Sequence, residues 1–302
     1  MCGIVGLFLK KKSREPQLGE LFSEMLECMS SRGPDSAGLA IFGATVPPDS
    51  LKVTLQHPKA GFDWDQMARR FAVKFKGGTT FTINSTHAIF VVAASEAAIR
   101  RVLHDEFPEV KIMSLGHRIE ILKEVGTPTS VLDRFQVRKM RGSHAIGHTR
   151  MATESAVTTT GSHPFSTGLD LCLVHNGSLS NHNRLRQNLR REGIEFETDN
   201  DSEVAAGYLS WRLKNGDSLT EALNHALKDL DGFYTFAIGT RDGFAVLRDP
   251  VACKPAVMAE TADYVAMASE YRSLTSLPGI EKAKLWEPEP ATVYSWSANG
   301  RE

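Results

Sequence analysis

A surplus of charge of either sign is absent from the sequence, in which 35 lysines and arginines stand against 36 aspartates and glutamates. A chain so balanced produces no general field that would attract nucleic acid or an anionic membrane. An apolar run of transmembrane length is also missing, and the lysines at 10–12 follow the first apolar stretch, whereas those of a signal peptide precede it. We therefore predict a cytoplasmic protein that binds neither nucleic acid nor membranes.

Cysteine is scarce, with only Cys2, Cys28, Cys172 and Cys253 among the 302 residues. These four have neither CxxC nor metal-ligand spacing, which argues against zinc or iron–sulfur ligation, and we expect no metal or other cofactor on this chain. The last three have apolar neighbours, which is typical of buried free thiols in a reducing compartment.

The position of Cys2, directly after Met1, is the most informative feature that is present. Removal of the initiator methionine would make Cys2 the first residue, with a thiol and an α-amino group on one carbon. An α-amino group titrates near ~8 and a free thiol near ~8.5, so the amine can take the thiol proton close to neutral pH. That combination is typical of N-terminal nucleophile enzymes. Taken alone, however, Cys2 is more simply interpreted as an inert small residue.

Hydrophobic periodicity predicts helices at 18–29, from about 201 to 215, and at 219–230, the last with Ser218 and Glu221 as a capping box. Short apolar runs bounded by turn residues predict six strands, at 4–9, 38–42, 144–148, 171–175, 234–239 and 244–247. Because strands and helices do not alternate regularly, we expect an α+β fold of antiparallel sheets covered by helices.

The segment from about 46 to 140 predicts a separate arrangement. It contains candidate strands at 51–57, 71–75, 88–94 and 110–115, and candidate helices at 63–70 and 95–106. This βαββαβ order indicates an inserted α/β lobe, ferredoxin-like in its succession of elements, within one domain that spans residues 2–302.

Two arginines stand in segments that can bind a charged substrate, although each segment also has a plain structural interpretation. Arg32 opens RGPDSAG, which alone is most simply a turn after a helix. Arg150 follows a predicted strand, where a guanidinium can hold a carboxylate by two parallel hydrogen bonds, or simply be a surface side chain.

Two further segments are ambiguous in the same way. Asn176-Gly177 is a hairpin signal, yet it can also present an amide side chain and a backbone N–H to one oxyanion. The segment 198–203 predicts a helix N-cap, and a carboxylate in it can instead receive a substrate ammonium group.

Taken together and in order, these segments resemble the class II glutamine amidotransferases. The segments that carry the resemblance cover about two thirds of the chain and are MCGIVG, RGPDSAG, GHTRMAT, HPF at 163–165, LVHNGSLSNH, TDNDSEV, DGFYTFAIG, RDPVACKP and MASE. The chain departs from several relatives at Met151, at 154–156 and in the long spacing between the second and third segments. These departures concern the loop that covers glutamine and leave the nucleophile in place.

The resemblance implies a role for each matching residue. Cys2 is expected to be the nucleophile and its α-amino group the base. Asn176 and the Gly177 N–H are expected to form the oxyanion hole. Arg150 is expected to bind the substrate α-carboxylate and Asp201 the α-ammonium, with Asp199 as the competing choice. Thr153 and His163 are expected to line the pocket, and Arg32 to support the site.

The fold implied by the resemblance is a four-layer αββα sandwich, and the reaction is hydrolysis of L-glutamine to glutamate and ammonia through a thioester. Because no acceptor domain follows the last motif, the chain looks most like the amidotransferase subunit of a split glutamate synthase or N-methylglutamate synthase. FMN and iron–sulfur clusters are then expected on partner subunits. Two alternatives are a self-contained γ-glutamyl amide hydrolase and a catalytically silent glutamine-sensing subunit.

Overall fold

The first sheet contains the strand that follows the candidate nucleophile. The structure is a computed structural model that describes residues 2–59, 61–75, 79–151, 156–297 and 300–301. Among these residues, seven antiparallel strands form the sheet in the order β15-β13-β14-β1-β8-β2-β7. The strands are β1 (Gly3–Leu9), β2 (Ser36–Phe42), β7 (Ile119–Val125), β8 (His144–Arg150), β13 (Val257–Glu260), β14 (Tyr264–Ala268) and β15 (Lys284–Trp286).

The second sheet has six antiparallel strands in the described chain, in the order β17-β16-β12-β11-β10-β9. They are β9 (Phe165–Gly168), β10 (Leu171–Leu179), β11 (Gly232–Gly239), β12 (Gly243–Arg248), β16 (Val293–Ser297) and β17 (Gly300–Arg301). Apolar side chains of both sheets form one buried cluster, which includes Ile4 and Phe42 from the first sheet and Val174 and Phe244 from the second. The two sheets therefore pack face to face.

Helices cover the other face of each sheet. They are α1 (Leu18–Glu27), α4 (Pro128–Arg134), α5 (His182–Arg191), α6 (Asp201–Lys214) and α7 (Leu219–Asp229). Phe22 of α1 and Val131 of α4 are buried in one cluster with Leu7 of β1. Leu189 of α5, Leu209 of α6 and Leu223 of α7 are buried with Phe236 of β11 in another.

The predicted α+β class is confirmed, and so are the three predicted helices, which are α1, α6 and α7 in the structure. Ser218 and Glu221 form the predicted capping box at the start of α7, with both reciprocal hydrogen bonds present. No helix in the described segments of the chain is both long enough and apolar enough to cross a membrane.

A third sheet forms the inserted lobe. Its elements are β3 (Leu51–Gln56), α2 (Trp64–Lys74), β4 (Thr79–Asn84), β5 (His87–Val92), α3 (Glu96–Glu106) and β6 (Lys111–Gly116). The strands are antiparallel in the order β4-β5-β3-β6, and the lobe has its own apolar core, which includes Val53, Phe71, Phe90 and Ile99.

The predicted strand at 71–75 is wrong, because α2 continues to Lys74. Trp64, Met67 and Phe71 are all buried on one face of α2, at spacings of three and four that suit a helix. The predicted end of the lobe at about 140 is also wrong. After β6 the chain returns to the first sheet as β7, and α4 packs against the core of that sheet.

Candidate active site

The candidate nucleophile lies at the edge of a polar network. Cys2 directly precedes β1 and is half-buried. Its carbonyl oxygen accepts a hydrogen bond from Arg32 Nε at 3.0 Å and another from Asn176 Nδ2 at 3.3 Å. Arg32, from the turn after α1, and Asn176, from β10, thus both bind the backbone of Cys2.

Arg32 is itself held by the segment that follows β14. Its Nη1 donates to Glu270 Oε1 at 2.6 Å, and this hydrogen bond is the main cause that lowers the pKa of Glu270. The neighbouring Ser269 accepts from the Ile4 N–H through Oγ at 3.0 Å, and its own N–H donates to the Ile4 carbonyl at 2.9 Å. Residues 269–270 therefore fix both Arg32 and the start of β1. The MASE segment contains them, but no residue type in it signals this role.

The turn that begins with Arg32 lies directly on the end of β8. A Cβ atom on Gly33 would come within 2.4 Å of the Thr149 carbonyl carbon, so only glycine fits at this position. The Asp35 N–H donates to the Arg150 carbonyl at 3.1 Å. This contact explains why RGPDSAG and GHTR, distant in sequence, form one part of the site.

Arg150 is the last residue of β8 and is half-buried. Its Nη1 donates to the Gly161 carbonyl at 3.3 Å, and Asn200 Nδ2 approaches the same oxygen at 3.5 Å. The loop that contains Gly161 therefore connects the end of β8 with the residue that caps α6.

Asn176 and Gly177 lie within β10 and are paired with Thr235 and Tyr234 of β11, so the hairpin interpretation is wrong. The strand continues to Leu179, and Gly177 has φ +150°. A Cβ atom at Gly177 would lie 1.8 Å from the Phe233 carbonyl oxygen, which excludes any side chain there. The close approach of β11 thus requires the glycine beside Asn176.

The two candidate aspartates differ in orientation. Asp201 is the first residue of α6, and its Oδ2 accepts from the Leu179 N–H at 2.8 Å, which ties the start of the helix to the end of β10. The Asp199 side chain is fully exposed and lies 3.7 Å from Arg186. Of the two, Asp201 is the one that faces the strand bearing Asn176.

His163 lies in the same loop as Gly161 and is buried. Its ring stacks on His148 at 4.0 Å between centroids and meets Phe165 edge-on at 5.0 Å. Burial lowers the pKa of His163 well below its ordinary value, and burial lowers the pKa of His148 to about 3, so both rings are neutral at pH 7. Thr153, the other residue expected to line the pocket, lies outside the described residues.

The prediction of three buried thiols holds only for Cys172, whose burial raises the pKa of its thiol. Cys28 is half-buried, and Cys253 is exposed in the turn after β12. In that turn Ala252 adopts φ +51°, and its N–H donates to the Asp249 carboxylate.

The cleft beside the lobe does not have Cys2 among its lining residues. Within the described segments, no group of three or more histidine, cysteine, aspartate and glutamate side chains is arranged to hold a metal ion. A cleft of about 960 Å³ separates the lobe from α6, with Arg100, Leu115 and Leu213 among its lining residues. Lys123 and Thr160 form part of its wall, and Thr160 belongs to the loop that contacts Arg150.

Known proteins with similar sequences or folds agree on one family. A family model described as a glutamine amidotransferase domain matches residues 148–276. The glutamine amidotransferase-like protein GlxB of Rhizobium meliloti (strain 1021) is 59% identical over 299 residues, which cover 98% of each chain. A putative glutamine amidotransferase of Methanothermobacter thermautotrophicus is 31% identical over 97% of this chain and 99% of its own.

The fold has a counterpart among solved structures. Glutamine phosphoribosylpyrophosphate amidotransferase from B. subtilis, complexed with ADP and GMP, superimposes with a TM-score of 0.63 at 20% identity. All of this chain aligns with 48% of that one, and the likeness concerns the fold alone. On the strength of the two full-length relatives and the matching domain, the chain belongs to the class II glutamine amidotransferases, enzymes of the N-terminal nucleophile type.

Proposed function

We propose that the protein hydrolyses L-glutamine to glutamate and ammonia through a thioester on Cys2, and that it passes the ammonia to a partner synthase subunit. The observation that carries the proposal is the convergence of Arg32 and Asn176 on the Cys2 carbonyl. A half-buried cysteine whose backbone carbonyl is held by an arginine and an amide donor is positioned for acyl transfer.

The chemistry begins with the α-amino group of Cys2, which becomes free when Met1 is removed. This amine takes the thiol proton, and the sulfur attacks the amide carbon of the glutamine side chain. Asn176 Nδ2 and the Gly177 N–H stabilise the oxyanion that forms. The amine then protonates the leaving ammonia and activates a water molecule, which releases glutamate from the thioester.

Substrate recognition rests on the two ends of the α-amino acid group. Arg150, half-buried at the end of β8, binds the α-carboxylate through its planar fork, and Asp201 at the start of α6 binds the α-ammonium. Support comes from the Gly161 carbonyl, which accepts from Arg150 and is approached by Asn200, the residue directly before Asp201.

We further infer a four-layer αββα sandwich in which residues 2–302 form one amidotransferase domain that carries the lobe. The inference is supported by the three apolar clusters, one between the two sheets and one beneath each group of helices. The active site then lies where β1 begins and where β8 and β10 end.

The partner of the reaction is proposed to be a synthase subunit of the glutamate synthase or N-methylglutamate synthase type. Free ammonia lost to solvent would waste glutamine, so the acceptor site has to be coupled to Cys2. Of the three sheets in the described residues, we assign two to the amidotransferase fold and the third to the lobe. We assign FMN and iron–sulfur clusters to the partner, since Cys28, Cys172 and Cys253 lie in separate parts of this chain.

Purification of the protein from its host, with identification of the chains that accompany it, tests the partner. A flavin-containing synthase that gains glutamine-dependent activity when this chain is added is the expected result. Fast turnover of a substituted γ-glutamyl amide beside slow turnover of glutamine would instead indicate a self-contained hydrolase. Binding of glutamine without turnover would indicate a sensing subunit.

A further inference from the structure

A buried lysine holds the loop that contacts Arg150. Lys123 of β7 is 4% exposed, and its Nζ donates to the carbonyls of Thr160 at 3.2 Å, Ser162 at 2.7 Å and Pro164 at 3.2 Å. An ammonium group has three hydrogens, so all of its donors are directed to one loop. Burial lowers the pKa of Lys123 to about 8, which reflects how little water reaches Nζ.

The neighbouring Glu124 joins the same loop to the lobe. Glu124 is 8% exposed, and its carboxylate accepts hydrogen bonds from Thr159 Oγ1 and, at 2.9 Å, from Thr86 Oγ1. Thr159 belongs to the loop, whereas Thr86 lies in the turn between β4 and β5 of the lobe. One carboxylate therefore connects the lobe with the loop.

We propose that Lys123 and Glu124 are positioning residues for glutamine binding: they hold the 158–164 loop against Arg150, and Glu124 couples this loop to the lobe. The proposal rests on the proposed function, in which Arg150 binds the substrate α-carboxylate. The connection is direct, because the Gly161 carbonyl in the middle of the loop accepts from Arg150 Nη1. A guanidinium binds a carboxylate by two parallel hydrogen bonds only when its plane is fixed, so release of the loop lowers affinity.

Removal of the lysine leaves three carbonyls without their donor. Buried carbonyls without a partner are rare in proteins, and the loop would lower its free energy by turning these carbonyls toward water. Because the hydrogen bonds of Lys123 within the described residues go to the loop and not to Cys2 or Asn176, its loss should affect the binding of glutamine and not the chemical step.

The matched control is Lys52. It is 6% exposed, donates to the carbonyls of Ala44 at 3.2 Å and Arg118 at 3.5 Å, and pairs with Glu120 at 2.7 Å. It is as buried as Lys123 and also lies where the lobe meets the first sheet. It has no hydrogen bond to the 158–164 loop among the described residues, so Lys52→Met should destabilise the protein without affecting glutamine binding.

The test compares steady-state glutamine hydrolysis by full-length Lys123→Met, Lys52→Met and wild-type protein. For Lys123→Met we expect a rise in KM of about tenfold or more, with kcat within about threefold of wild type. Lys52→Met should keep both constants, and Lys123→Arg should recover part of the affinity. An unchanged KM in Lys123→Met, or an equal rise in Lys52→Met, would overturn the positioning role.

Coupling to the lobe is tested by Thr86→Val, Thr159→Val and the double variant. Both threonines bond one carboxylate, so each single change should raise KM by roughly threefold, and the double change by less than the product of the two. A wild-type KM in Thr86→Val would overturn the coupling. These variants, with Lys123→Arg, carry the test if Lys123→Met does not fold.

Two different results distinguish a failure of the positioning role from a failure of the proposed function. A wild-type protein that does not hydrolyse glutamine contradicts the proposed function itself. A wild-type protein that hydrolyses glutamine beside a Lys123→Met variant with the same KM contradicts only the positioning role.

Discussion

Arg32 and Glu270 lie 238 positions apart in the chain, yet the Arg32 guanidinium donates to the Glu270 carboxylate at 2.6 Å. The same guanidinium donates through Nε to the Cys2 carbonyl at 3.0 Å. The side chain of Arg32 is 10% exposed, so its charge is largely withdrawn from water and depends on the carboxylate. Glu270 therefore helps, through Arg32, to hold Cys2 at the start of the chain.

Glu270→Ala should leave Arg32 without its main counter-charge and loosen Cys2. We expect slower labelling of Cys2 by a glutamine-like electrophile and a loss of roughly 1–3 kcal/mol in the free energy of unfolding, measured with urea. Glu260→Ala is the control, since Glu260 pairs with Lys10 at 2.6 Å in a more exposed setting. Equal labelling rates in the two variants would contradict the role of Glu270.

The terminus of the mature protein should be Cys2, because the mechanism needs a free α-amino group. Intact mass should lack Met1, and Cys2→Ala should abolish glutamine hydrolysis while the protein stays folded. A glutamine-like electrophile should label Cys2, with free glutamine protecting it, whereas a general alkylating reagent should also react with the exposed Cys253. Full activity in a protein that retains Met1 would contradict self-activation of the thiol.

Arg150→Lys and Asn176→Ala should separate binding from chemistry. The lysine keeps the charge of Arg150 but loses the planar fork, so KM for glutamine should rise, by an amount equivalent to about 2–5 kcal/mol. Asn176→Ala removes an oxyanion donor and should lower kcat about 10²–10³-fold. Steady-state kinetics checks both, and a reversal of the two effects would contradict the assigned roles.

Acid should unfold the protein through its buried histidines. Burial lowers the pKa of His87, His144 and His148 to about 3 from an ordinary value of 6.5. Between these values the three histidines alone bind about three more protons in the unfolded chain than in the folded one, so their contribution lowers stability by about 4 kcal/mol per pH unit as pH falls. The stability that these groups give is complete above pH 6.5 and is lost as pH falls toward 3.

Circular dichroism during acid titration measures this loss. We expect unfolding to begin below about pH 6 and to be complete well before pH 3, given the usual stability of 5–15 kcal/mol. His144→Asn should shift the midpoint to lower pH, whereas the same change at the exposed His104 should leave it unchanged. A native spectrum at pH 3 would contradict the prediction.

Sequence reasoning succeeded where the cause of a structure is local. The capping box of α7 involves residues three positions apart, and the stripe of α1 reflects the period of a helix. It left alternatives open where distant contacts decide. Asn176-Gly177 is a turn signal by composition, but β11 pairs with both residues and keeps them in a strand.

The residues around Cys2 show the same division. The motifs name Arg32, Arg150, Asn176 and Asp201 because their residue types suit a charged amino acid substrate. Lys123 lies in a strand where a lysine normally faces water, so nothing in its neighbours predicts a buried amine with three carbonyl partners.

The sequence by itself determined the class of fold, the principal helices and the residue types of the candidate site, because each depends on neighbours within a few positions. Only the tertiary structure decided which side chains support that site. Glu270 reaches Arg32 across 238 positions, and Lys123 reaches Ser162 across 39. Such contacts form where the sheets and the lobe come together, and their energies depend on burial, which no short segment specifies.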